Sequence, residues 1–257
     1  MSLLTTPTGR LGALARAEFT LLLRSKATLV TAVLVPLGLP FTLRSVVDGM
    51  DVESSGLSVG LVLLPAAIGF SLLFGVYSAL VAILTARREE LVLKRLRTGE
   101  LRDFEILCGT ALPIAATGLV QSLVLVAGST VLLDVPAPRA PHLALLGLLS
   151  GLVMCAALAA LTAAVTRTVE SAQVTAVPFT LVSMSLSGVI VPLEMLPDRL
   201  ASVCELLPLS PVITLIRGGW TGTLSVYEAL GALGTALAWT VLAVFAVQRW
   251  FRWEPRR

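Results

Sequence analysis

The sequence predicts an all-α integral membrane protein that crosses the bilayer six times. The chain has 257 residues, of which 56% are hydrophobic and only 14% are charged, and its mean hydropathy is +0.92. A soluble domain carries about 25% charged residues, so a surface this apolar suits lipid rather than water. The apolar runs extend over about 20 residues instead of alternating over about 10, which favours a helical bundle over a β-barrel.

The first element predicted is an amphipathic helix over residues 9–26 that lies in the membrane interface. At about 100° per residue, Arg10, Arg16 and Arg24 share one face and leucines occupy the other. The arginines would then meet anionic lipid headgroups. Glu18 falls within the apolar face, so we expect it to pair with a neighbouring helix, unless the segment frays and leaves it in water. These charges also argue against a signal peptide.

Six membrane spans follow within a single domain, residues 1–257. They are predicted at residues 27–47, 57–84, 106–133, 143–165, 172–192 and 226–247. Pro36 and Pro40 predict a kink in the first span, because each proline removes a backbone donor. The second span has about 28 residues and should tilt or project from the bilayer. Prolines and glycines interrupt residues 193–225, which predicts short extracellular or re-entrant helices there.

The distribution of arginine and lysine predicts that both chain termini are cytoplasmic. With six spans in that orientation, 15 basic residues lie on the inner side and four on the outer side. Inner loops of membrane proteins carry this excess of basic residues. The segment between the second and third spans is therefore expected inside the cell.

That inner segment, residues 87–105, is the most unusual part of the chain, and we call it the charged segment. It contains six of the 19 basic and five of the 16 acidic residues. It also contains apolar side chains that a solvated loop does not need: Leu91, Leu93, Leu96, Leu101 and Phe104. Paired charges around apolar anchors favour contact with a partner over a loop that merely obeys the positive-inside rule.

Motifs for catalysis and metal binding are weak or absent. The two lysines, Lys26 and Lys94, do not form the Gly-Lys-Ser/Thr of a phosphate-binding loop, so we expect no ATP hydrolysis by this chain. Three scattered cysteines and one histidine predict no metal site. An intramembrane serine hydrolase would need Ser187 as nucleophile with His142 as its base. The surrounding SLSG is not GxSG, so helix packing by the serine is favoured.

Few polar residues lie deep in the predicted spans. Gln121 and Ser122 are the most central polar pair, and we consider them, with Ser183 and Ser187, as candidates to line a substrate pathway. Hydrogen bonding between helices is the competing interpretation, and we favour it for the central pair. The spans have no central carboxylate, which argues against a proton-coupled transporter.

Two motifs give the chain a resemblance, over nearly its full length, to the membrane subunits of ABC type-2 exporters. The first is RREE at residues 87–90, followed by LKRLRTG at residues 93–99. The second is LSGVIVPLEMLP at residues 186–197, followed by LPLSP at residues 207–211. The chain departs from the family in the first motif: Leu91-Val92 replaces the usual Gly-Thr, and residue 100 is Glu where proline is common.

The resemblance implies a permease subunit, not itself an enzyme, of an exporter in a bacterial cell membrane. Its implied partners are membrane lipids, two separate ATPase subunits that hold ATP and Mg, and a second permease copy or paralogue. This chain would bind no cofactor and no nucleic acid. Residues 9–26 would be the family's elbow helix, with Arg16, Glu18 and Arg24 at the interface, and residues 85–105 its coupling region.

Within the coupling region, the resemblance places nine residues at the ATPase contact. They are Arg87, Arg88, Glu89, Glu90, Lys94, Arg95, Leu96, Arg97 and Phe104. A pathway without fixed charges suits an amphipathic cargo: a drug-like metabolite, lipid, peptide or glycan. The alternatives are a non-transporting sensor or immunity module of the same fold and the serine hydrolase.

Overall fold

The computed structural model describes residues 20, 59–99, 101–190, 193, 197–251 and 253, and every regular element in these ranges is helical. The helices are α1 (59–89), α2 (Val92–Arg97), α3 (Asp103–Leu132), α4 (Pro141–Val165), α5 (Val169–Leu186), α6 (Asp198–Cys204), α7 (Ser210–Thr221) and α8 (Val226–Trp250). The predicted elbow helix, with Arg16, Glu18 and Arg24, lies outside the described residues except for Thr20. The predicted first span lies outside them entirely.

Four of the described helices are long and apolar enough to cross a membrane: α1, α3, α4 and α8. They correspond to four of the six predicted spans, with ends that differ by up to five residues. The all-helical membrane fold predicted from hydropathy is thereby confirmed for the described part of the chain. The total of six spans stays a prediction.

Helix α1 is the central element of the described bundle, and most of its side chains are buried. Its middle, Ser71–Ser78, is π-helical, between α-helical Val59–Phe70 and Ala79–Glu89. A π segment has wider turns than an α-helix and is common at functional sites. Helices α3, α4 and α5 all contact this segment, and α4 in turn packs against α7 and α8.

Helix α5 ends earlier than the predicted fifth span. The prediction extends to residue 192, whereas the helix ends at Leu186. Gly188 has φ +73°. This left-handed conformation is typical just after the last residue of a helix, and glycine adopts it without strain. Ser187 and Gly188, which the sequence analysis placed inside the fifth span, therefore end the helix at the start of the second motif.

The region predicted as short extracellular or re-entrant helices, residues 193–225, contains α6 and α7 in its described part. Helix α7 packs closely against α4. The N–H of Ala140 donates to the carbonyl of Gly219 at 2.9 Å. A Cβ atom at Gly219 would lie 2.6 Å from the backbone nitrogen of Ala144, so only glycine fits there.

Candidate functional site

The charged segment is largely helical, and its first residues belong to the end of α1, where the sequence had predicted a loop. Helix α1 runs through Arg87 and Arg88 to Glu89, five residues beyond the predicted end of the second span. Leu91, with φ +61°, then forms the turn between α1 and α2. The side chain of Leu93 is fully buried and anchors α2 to the bundle.

The start of α3 closes the segment with one of the two hydrogen bonds of a capping box. The Glu105 carboxylate accepts a hydrogen bond from the N–H of Arg102 at 2.7 Å. This bond satisfies a backbone donor beside the first helical turn. Asp103 and Glu105 also place negative charge at the positive end of the helix dipole. The segment is therefore held at both ends by regular helix structure.

Arg97 connects the charged segment to the C-terminal end of the described chain. Its Nε atom lies 3.0 Å from Oδ1 of Asp103, and its guanidinium lies 5.1 Å from the centroid of the Trp253 ring. Phe251 packs edge-on against Trp253 at 5.1 Å between centroids. The sequence analysis did not single out the aromatic residues of this tail. The sequence pattern that could have indicated them is the close spacing of Trp250, Phe251 and Trp253 among arginines.

Arg88 has the most enclosed side chain of the nine predicted coupling residues. It is fully buried, and its Nη1 atom donates to the carbonyl of Ala163 at 2.8 Å. Its Nη2 atom donates to the carbonyl of Thr166. Both carbonyls lie at the C-terminal end of α4, where the last backbone acceptors have no partner inside the helix. Arg88 thus caps α4 from the end of α1.

The other predicted coupling residues lie nearer the surface. Arg87, Glu89 and Leu96 are partly buried. The exposed ones are Glu90, Lys94, Arg95, Arg97 and Phe104. Phe104 is 67% exposed and the neighbouring Leu91 is 39% exposed. Apolar side chains open to solvent among cations can form a contact surface for a partner.

The four predicted pathway residues are buried inside the described bundle. The Ser71 hydroxyl donates to Oε1 of Gln121 at 2.9 Å, which joins the π segment of α1 to α3. The Ser122 hydroxyl donates to the Gly118 carbonyl of its own helix at 2.8 Å. Ser183 and Ser187 have hydroxyls with no hydrogen-bond partner among the described residues. Their role in a pathway stays a prediction.

Two further polar contacts cross between helices and were missed from sequence. The Tyr77 hydroxyl lies 2.9 Å from the Thr162 hydroxyl, between α1 and α4. Arg217, buried in α7, donates to the carbonyl of Gly188 at 2.9 Å. Arg217 is one of the four basic residues that the sequence analysis placed on the outer side, with no further role. The sequence pattern that could have indicated this contact is a lone arginine among apolar residues, because a buried guanidinium requires a hydrogen-bond acceptor.

The described residues show no group of three or more histidine, cysteine or acidic side chains that could hold a metal ion. The three cysteines are free thiols. His142 is exposed at the start of α4.

Comparison with known proteins assigns the chain to a family. The family described as ABC-2 type transporter matches residues 10–220, which is most of the chain. A search of the curated proteins found no match. The match includes the charged segment and both motifs noted in the sequence. The chain therefore belongs to the ABC-2 type transporter family and is a multi-pass membrane permease component of an ABC transporter.

Proposed function

We propose that the chain is a permease subunit of a bacterial exporter that two ATPase subunits drive, and that an ATPase subunit docks on its charged segment. The observation that carries this proposal is the exposed set of Lys94, Arg95 and Phe104 on a segment whose base, at Leu93 and Arg88, is fully buried. The exposed cations would orient the ATPase and speed its association if its groove is acidic. The aromatic ring of Phe104 would add buried area to the interface.

The proposed orientation places the charged segment and both termini in the cytoplasm, where ATP is available. The excess of basic residues on that side, 15 against four, supports this orientation. ATP and Mg would bind in the partner subunits. Closure of the ATPase pair would push α2, and the connected end of α1 would transmit the displacement to the bundle.

A second permease copy or paralogue would complete the transport path. One face of α5 supports this part of the proposal, because it is exposed along the whole helix. It consists of Gln173, Val174, Val177, Pro178, Leu181, Val182, Ser185 and Leu186. The amide of Gln173 and the hydroxyl of Ser185, at the two ends of this face, would find hydrogen-bond partners on a second permease but not in lipid chains. A path lined by both apolar and uncharged polar side chains would suit an amphipathic cargo.

Charge reversal on α2 tests the docking proposal. In Lys94→Glu/Arg95→Glu, we expect about tenfold weaker association with the ATPase subunits, as is typical of exposed interface charges. The measurement is the yield of ATPase co-purified with the tagged permease as salt is varied, followed by ATP hydrolysis and export in proteoliposomes. Arg139→Glu/Arg199→Glu, at two exposed arginines in the outer loops of the proposed topology, is the matched control.

The outcomes separate the proposed functions. Unchanged ATPase recovery and export in Lys94→Glu/Arg95→Glu would contradict docking on this segment. Recovery of the ATPase with the unaltered permease, but no export of any amphipathic compound tested, would indicate a non-transporting sensor or immunity module instead.

Ser187→Ala tests the hydrolase alternative. The Ser187 hydroxyl is buried and has no hydrogen-bond partner in the described ranges, so no base is positioned to activate it. Removing an unsatisfied buried hydroxyl should leave stability unchanged or slightly higher. We therefore expect export to persist and the melting temperature to be unchanged or slightly higher. Complete loss of function in a variant that folds normally would restore the hydrolase hypothesis.

A further inference from the structure

We propose that Arg88 is a positioning residue that locks α1 to the end of α4, so that a push on the charged segment moves both helices together. This inference rests on the proposed function and deepens it. It separates two roles within one cluster of basic residues: Lys94 and Arg95 would bind the ATPase, whereas Arg88 would transmit the movement inside the permease.

The geometry of Arg88 suits an internal clamp better than a docking contact. Its side chain is fully buried, whereas Lys94 and Arg95 are exposed on the next helix. An ATPase subunit could reach the guanidinium only by displacing the residues that bury it. The two amino groups donate to two separate carbonyls, of Ala163 and Thr166, which a planar guanidinium can bridge without rearrangement.

The clamp is also favourable electrostatically. The C-terminal end of α4 carries the negative end of the helix dipole, and the described part of α4 has no basic residue in its last turn. Arg88 supplies that positive charge from another helix. Its acceptors are backbone carbonyls, so the contact depends on α4 remaining helical to its end.

A second contact joins the same two helices deeper in the bundle. Tyr77 on α1 meets Thr162 on α4 through their hydroxyls at 2.9 Å. Tyr77 lies about three helical turns before Arg88. Its ring packs against Phe179 of α5 at 4.5 Å between centroids. Two fixed points along α1 resist both sliding and rotation against α4, whereas one contact would leave a pivot.

The test compares Arg88→Gln with Arg139→Gln in the full chain. Arg139 also donates to a helix-end carbonyl, that of Thr221 at 3.3 Å, but it is exposed and lies in a different loop. Spin labels are placed at the exposed positions Glu90 and Arg167, after replacement of the native cysteines by alanine, in lipid nanodiscs. The unaltered chain is expected to give one narrow distribution of distances between the labels. Arg88→Gln should broaden that distribution, and Arg139→Gln should leave it unchanged.

The same variants are then assayed with their co-purified ATPase subunits. Arg88→Gln should retain the ATPase but export about tenfold less cargo per ATP hydrolysed, the scale expected when charge-assisted hydrogen bonds are lost. Arg88→Lys keeps the buried charge and one donor, so we expect it to recover part of the coupling. Arg139→Gln should match the unaltered chain in both measurements.

Several outcomes would overturn the inference. They are an unchanged label distance in Arg88→Gln, unchanged export per ATP, or loss of ATPase co-purification in Arg88→Gln. Failure of both Arg88→Gln and Arg88→Lys to fold, with Arg139→Gln folded, would show a purely structural arginine. If Lys94→Glu/Arg95→Glu retains the ATPase while Arg88→Gln loses the narrow distance, the docking proposal fails and the clamp stands.

Discussion

Gly219→Ala is expected to unfold at a clearly lower temperature than the unaltered chain. A Cβ atom at this position would lie 2.6 Å from the nitrogen, 2.7 Å from Cβ and 2.9 Å from Cα of Ala144. These atoms include the backbone of α4, which cannot move aside as a flexible side chain can. Forcing α7 and α4 apart is expected to cost about 3 kcal/mol and to lower the melting temperature by about 5 °C or more.

Gly231→Ala is the matched control, because Gly231 also lies in a helix but has no atom within 4 Å of the added Cβ. Replacing a helical glycine by alanine without a clash gains up to about 1 kcal/mol. Both variants are compared by thermal unfolding in the same detergent. Equal melting temperatures for Gly219→Ala and the unaltered chain would show that α7 is not packed on α4 this closely.

Gly118→Ala is expected to have the second large effect, in the centre of the bundle. A Cβ atom there would lie 2.3 Å from Cγ2 of Val76, in the π segment of α1, and 3.2 Å from Cδ2 of Leu152 on α4. Valine is rigid at χ1 and cannot turn away without strain. We expect a loss of about 2 kcal/mol in the free energy of unfolding, with α1, α3 and α4 all affected.

Two companion variants make this prediction specific. Gly128→Ala lies on the same helix, α3, and meets no atom within 4 Å, so it should be at least as stable as the unaltered chain. Val76→Ala combined with Gly118→Ala removes the clashing methyl groups and should recover part of the lost stability. If the double variant is no more stable than Gly118→Ala, the contact between α3 and the π segment is not the cause.

Hydropathy alone was sufficient to predict where two of the long apolar helices begin. The predicted fourth span, residues 143–165, and sixth span, residues 226–247, begin within two residues of α4 and α8. The end of α1 was placed five residues too early, because two arginines and a glutamate suggested a loop. Burial of Arg88 against carbonyls of α4 is a tertiary effect that no local pattern contains.

The candidate site was predictable as a segment but not residue by residue. Its charges and apolar anchors are visible in the sequence, yet basic residues with similar local surroundings have different environments. Lys94 and Arg95 are exposed, Arg97 pairs with Asp103 and stacks on Trp253, and Arg88 is enclosed. The burial of Arg88 and the contact of Arg97 with Trp253 depend on residues that are distant in the chain, so composition and spacing cannot assign them.

The π segment of α1 has a consequence for the angular relation between the two ends of that helix. One extra residue in a helix rotates everything beyond it by about 100° relative to an uninterrupted α-helix. With Ser71–Ser78 in π form, Ser71 meets Gln121 of α3 while Arg88 meets α4. If the segment rewound as an α-helix, the contact of Ser71 with Gln121 and the contact of Arg88 with α4 could not both be kept. The π form therefore sets the register in which the two ends of α1 engage different neighbours at the same time.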